Sequence, residues 1–145
     1  MTFSITPLSI NLAQVLAQVE TPAAGALATF CGVVRDNSQG RQVKYLIYEA
    51  YPAMALKELE RIKQDIRQRW PIQKLAITHR IGRLEIGEAS VMIAVSSHHR
   101  GEALAACQYA INRLKVTVPI WKKEFWEGGE VWVEGCGHSE ILPPA

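Results

Sequence analysis

The sequence predicts an α+β domain with a mainly antiparallel sheet. Three stretches repeat apolar residues at the one-face spacing of a helix, and the segments between them alternate apolar with polar residues or run β-branched, as strands do. Concentrated turn signals at Asp36-Asn37-Ser38-Gln39-Gly40 and Glu127-Gly128-Gly129-Glu130 mark hairpins.

Composition sets the bounds. A chain of 145 residues, 48% hydrophobic and 21% charged, holds one domain with a proper core and argues against extensive disorder. Its net charge of +2, from 16 basic and 14 acidic residues, makes no general case for nucleic acid or membrane, so any anion site must be local. No Lys or Arg precedes Arg35, which fits neither a secretory signal nor a transit peptide, and no apolar run approaches a membrane span. The three cysteines, Cys31, Cys107 and Cys136, are odd in number and far apart, which suits a reducing compartment better than a disulfide framework. The expected setting is cytoplasmic.

In chain order, Thr2 to Ile5 reads as a short strand. Ser9 is placed to cap a helix in which Leu12, Val15, Leu16 and Val19 share a face, ended by Thr21-Pro22. Ala24 to Val34 is a strand, with Gly32 a bulge or close-approach point. A second strand, Val43 to Tyr51, completes a hairpin with it and leaves Arg35 at the rim. Pro52 opens the clearest amphipathic helix, striped by Ala55, Leu59, Ile62 and Ile66 and closed by Trp70-Pro71. Leu75, Ile77 and Ile81 alternate with polar residues as a half-buried strand. His79 falls on its apolar side, a position more usual for a hydrogen-bonded core histidine than for a ligand or base. Gly82 and Gly87 bracket the next connection, and Val91, Ile93 and Val95 mark another strand. A helix follows with Leu104, Cys107, Ile111 and Leu114 on one face, so Cys107 reads as packing. Val116 to Pro119 stops it, and the last strand runs Val131 to Glu134. Residues 1–135 are expected to form one domain, with 136–145 a mobile tail.

Three basic clusters fall at element ends. Arg35 closes a strand. His99 and Arg100 open a helix, where unpaired N–H groups and the dipole favour anions and a guanidinium adds two donors; the ordinary alternative is a polar helix start capped by Ser97. Lys115 falls near the buried stripe, so it must snorkel, pair with an acid or serve a cleft, unless it is simply a cation at a helix C-terminus. Lys122 and Lys123 are adjacent in an extended piece, so one of them can share a cleft with Lys115. Several cations in one cleft without matching acids suit an anion and can aid proton transfer by a lysine. Neither the histidines nor the cysteines show a metal-ligand spacing, and there is no P-loop or nucleophile elbow.

The ordered set F-C-G-V-V-R (Phe30 to Arg35), Y-E-A-Y (Tyr48 to Tyr51), R-W-P (Arg69 to Pro71), H-R-I-G (His79 to Gly82), S-S-H-H-R (Ser96 to Arg100) and L-K-V-T-V-P-I-W-K-K-E (Leu114 to Glu124) resembles the large-subunit family of molybdopterin synthases. The likeness covers roughly residues 24 to 133. It implies an α/β hammerhead-type fold with about three helices. It also implies a homodimer, each copy binding one small ubiquitin-like sulfur-carrier subunit to give a heterotetramer. The implied reaction installs a dithiolene on cyclic pyranopterin monophosphate, with sulfur from a thiocarboxylate on the carrier's C-terminal Gly-Gly. It implies no metal or organic cofactor for this step.

Carried over position by position, the resemblance assigns substrate binding to Val33, Val34, Arg35, His99, Arg100, Lys115, Lys122, Lys123 and Glu124, and catalysis to Lys115 and Lys122. Arg35, His99 and Arg100 would hold the phosphate and pterin. Lys115 would sit by the thiocarboxylate, and Lys122 would hold substrate and stabilise developing charge. The nucleophile is the carrier's sulfur, so no cysteine of this chain need be catalytic. The competing reading is a non-catalytic anion-binding or adaptor domain of the same fold.

Overall fold

The computed structural model describes residues 2–136. Its elements are β1 (Thr2–Thr6), α1 (Leu12–Ala17), β2 (Ala26–Val33), β3 (Asn37–Ser38), β4 (Arg41–Ala50), α2 (Pro52–Arg69), β5 (Lys74–Arg80), β6 (Gly82–Glu85), β7 (Ala89–Ser97), α3 (Arg100–Thr117), β8 (Ile120–Trp126) and β9 (Gly129–Cys136). The α+β class, the antiparallel bias and the three helices are as expected. Among the described residues, no helix is long and apolar enough to cross a membrane. The expected tail, 136–145, lies outside the described residues save for Cys136, which ends β9.

Two sheets divide the strands. The first has the order β1-β5-β7-β2, with β1 parallel to β5 and the other pairs antiparallel. The second runs β3-β4-β8-β9, with β6 also paired to β4. The hairpin expected between β2 and β4 does not form. β2 pairs with β7 instead, and the register slips at Gly32/Val33. There the chain leaves the sheet: Val34 N–H donates to Glu88 O, and Val34 O accepts from Gly87 N. Val34 then packs with Val43, Leu46 and Leu84 in a small core that joins the second sheet. Gly32 is the close-approach point, since a Cβ there would lie 2.9 Å from Val91 Cγ1.

The helices cover the first sheet. Leu59, Ile62 and Ile66 of α2 are buried against Leu75, Ile77 and Ile93, each such side chain contributing about 1.5–3 kcal/mol. α1 covers the opposite face, setting its Val15, with Val19 from just beyond the helix, on Ala76 and Ala94. With helices on both faces, β5 is buried from Leu75 to His79 instead of half-buried as its alternation predicts. The α1 cap is Asn11, whose Oδ1 accepts from Gln14 N at 3.1 Å, and not Ser9. On α3 the buried face is Ala103, Ala106, Cys107, Ala110, Ile111 and Leu114. Leu104, expected in that stripe, is 61% exposed, because it lies about 100° round the helix from Ala103. Alanines at the contact let α3 lie close to Ala28 of β2. Burial pushes the Cys107 thiol up to about 11, in keeping with packing.

Candidate active site

The end of α3 sets the first cation. Val118 caps the helix through its N–H to Leu114 O, and Pro119 cannot continue it. Lys115 therefore sits in the last turn, where the dipole favours a positive charge. The chain enters β8 at Ile120, two residues before Lys122. Lys122 and Glu124 share one face of that strand by its two-residue period, and Lys123 takes the other.

Lys115, Lys122 and Glu124 line a cavity of about 440 Å³ with Val33, Val34 and Arg35 from the end of β2. Six of the nine expected site residues thus meet between the two sheets. Glu124 is buried, with its Oε2 4.0 Å from Lys122 Nζ. Glu124, one of the expected site residues, brings an acid in among the cations. A larger groove of about 590 Å³ lies between α2 and α3, but its lining mixes both signs and includes the Glu58–Arg61 pair. Arg113 faces that groove, away from Lys115.

The other three residues lie elsewhere in the chain. Lys123 donates to Glu130 Oε1 at 3.2 Å and lies over the Phe125 and Trp132 rings, on the outer face of the second sheet. His99 and Arg100 are exposed at the start of α3, about 22 Å along the helix from Lys115. His99 is the N-cap residue and makes no side-chain cap bond; Ser97, the expected cap, instead donates its hydroxyl to His99 O.

Sequence reasoning missed the walls. Phe30, Cys31, Leu46, Tyr48 and Ser90 also line the cavity. Strand alternation puts Leu46 and Tyr48 on one face of β4, but only the pairing of Tyr48 with Lys122 brings that face to the site. His79 stands behind Tyr48, with ring centroids 5.1 Å apart. It is the core histidine expected: its Nδ1 lies 2.8 Å from Arg80 O, and since a carbonyl only accepts, Nδ1 carries the proton.

Burial holds the His79 pKa down at about 4 against an ordinary 6.5; the Arg80 carbonyl partly offsets this, and the charge of Lys115 adds to the lowering. The unfolded chain therefore binds a proton that the folded one refuses between these values, so stability rises with pH across that window. The wild type is expected to lose about 3 kcal/mol between pH 6.5 and pH 4 through this group. Urea unfolding of wild type and His79→Gln at both pH values checks it; an equal pH dependence in the two would count against a buried neutral histidine.

Known proteins support the same reading of the chain. Residues 5–117 match the family model described as MoaE protein. The molybdopterin synthase catalytic subunit of Halalkalibacterium halodurans is 54% identical over 131 residues, covering 90% of this chain and 84% of that protein. The corresponding subunit of Bacillus subtilis is 50% identical, with 90% and 83% covered. The crystal structure of molybdopterin synthase from Staphylococcus aureus superposes with a TM-score of 0.86 at 44% identity, covering 89% of this chain and 94% of that one. The chain belongs to the MoaE family, the catalytic subunits of molybdopterin synthase.

Proposed function

We propose that this chain transfers sulfur from the C-terminal thiocarboxylate of a small ubiquitin-like carrier to cyclic pyranopterin monophosphate, forming the molybdopterin dithiolene. The observation that carries this reading is the convergence of Arg35, Lys115 and Lys122 on one cavity of about 440 Å³. That volume suits a small ligand together with the end of an extended peptide. Arg35, exposed at the cavity rim, is suited to grip the phosphate through two bonds. Lys115 and Lys122 supply positive charge where the carrier's sulfur attacks a substrate carbon and where water then cleaves the acyl–sulfur bond, leaving the sulfur on the substrate and releasing the carrier as a carboxylate. Lysine protons can also neutralise oxygen anions as they form. Val33 and Val34 shape the wall beside Arg35.

In this reading His99 and Arg100 act on the cavity of a second copy. The distance along α3 keeps them from the cavity of their own chain, so a homodimer within a heterotetramer gives both residues a place. The cytosol is the compartment that fits, and the free thiols Cys31 and Cys107 suit it.

Reconstitution decides between this and a non-catalytic anion-binding domain. The purified chain, a thiocarboxylated carrier and cyclic pyranopterin monophosphate are expected to yield a dithiolene product, detected by mass. Binding of both partners without turnover would favour the adaptor instead.

A further inference from the structure

Tyr48 lies at the meeting of three features. It lines the cavity that holds Lys115 and Lys122. On the sheet it stands directly across from Lys122. Behind it, the His79 ring meets its own at 5.1 Å and an interplanar angle of 72°, an edge-to-face contact of the kind that fixes aromatic orientation. His79 is itself 3% exposed, and its Nδ1 is tied to the Arg80 carbonyl of β5.

The chemistry around Tyr48 is ionic. Arg35, Lys115 and Lys122 donate, and Glu124 in its ionised form accepts. A phenol does both while uncharged, and its ring offers a flat apolar face. Those properties match the neutral, nitrogen- and oxygen-rich edge of a fused heterocycle, which the charged groups do not. A neutral His79 supports the ring without adding a further positive charge close to Lys115.

We propose that Tyr48 is a substrate-orienting residue of this cavity, its phenol presented beside Lys122 to the heterocyclic part of the substrate, and that His79 is the positioning residue that holds the Tyr48 ring. This rests on the sulfur-transfer reading above. The hydroxyl acts on binding of the heterocycle and not on the carrier, so its loss is felt in one KM.

Steady-state kinetics with thiocarboxylated carrier and cyclic pyranopterin monophosphate test it. Tyr48→Phe is expected to raise the KM for the pterin substrate about three- to tenfold, the range for one lost hydrogen bond, with kcat and the carrier's KM within about twofold of wild type. His79→Ala is expected to raise the same KM by a similar factor, and His79→Phe, which keeps a ring behind Tyr48, to recover most of it. In a Tyr48→Ala background, His79→Ala is expected to change that KM no further, although any loss of melting temperature still adds. A pterin KM in Tyr48→Phe equal to wild type overturns the role of the phenol, and this isosteric variant decides even where His79→Ala does not fold. The same KM rise from His79→Ala with and without Tyr48 overturns the positioning role. A wild-type chain that makes no dithiolene under these conditions fails the sulfur-transfer reading itself, and the inference with it.

Discussion

Lys115→Ala is expected to lower product formation by about a thousandfold, within the range for removing a group that moves protons or stabilises transition-state charge. The side chain is exposed in the last turn of α3, so truncation removes no packing and the fold survives. Circular dichroism and carrier binding are therefore expected to match wild type, while single-turnover formation of the dithiolene fails. Sulfur transfer within tenfold of wild type would remove Lys115 from the chemistry. Mixing extends the test. If Arg100 serves the cavity of a second copy, then inactive Lys115→Ala and inactive Arg100→Ala chains, unfolded together and refolded, regain activity, because half of the cavities in each mixed dimer are intact. No recovery would leave Arg100 outside the site.

Lys122→Ala is expected to cost both activity and stability. Activity falls about a hundredfold through lost charge stabilisation. Stability falls by about 2 kcal/mol because Glu124, 6% exposed, then lies buried without the cation beside it. That figure is below the usual range for breaking a buried pair, since Lys122 is partly exposed and 4.0 Å away. Adding Glu124→Gln removes the stranded charge, so the double variant is expected to regain most of the stability and none of the activity. Urea unfolding beside turnover separates the two effects. A Lys122→Ala chain as stable as wild type would mean that Glu124 is satisfied by other means.

Much of this site was legible before the fold. Lys115 near the stripe of α3, and Lys122 opposed to Lys123 in an extended strand, follow from periodicity alone, and both positions stand as read. Periodicity does not say which strands pair. The turn at Gly40 suggested that β4 folds back on β2, whereas the long chain between them turns at Val34 and sends β4 to a different sheet. That partition creates the cavity, and so Tyr48 and Leu46 became site residues only once strand pairing was known. The same limit explains β5: alternation reports one buried face, and the second is covered by Val15 of α1 and by Val19 just beyond that helix. His99 and Arg100 show the reverse case. Their motif was clear, but no single-chain geometry joins them to the cavity.

The outward anchoring of Lys123 has a consequence for how this family of chains can vary. Neighbouring residues of β8 face opposite ways, so the choice of lysine for the cavity is a matter of parity. The count of residues from the last turn of α3 to the strand must stay in step with the pleat: a change of one trades Lys122 for Lys123, whereas a change of two restores the phase. The β8–β9 turn at Gly128 comes after both lysines and carries no such restriction. Length is therefore constrained on one side of the lysine pair and free on the other, which makes the short join at Pro119 the metronome of the site.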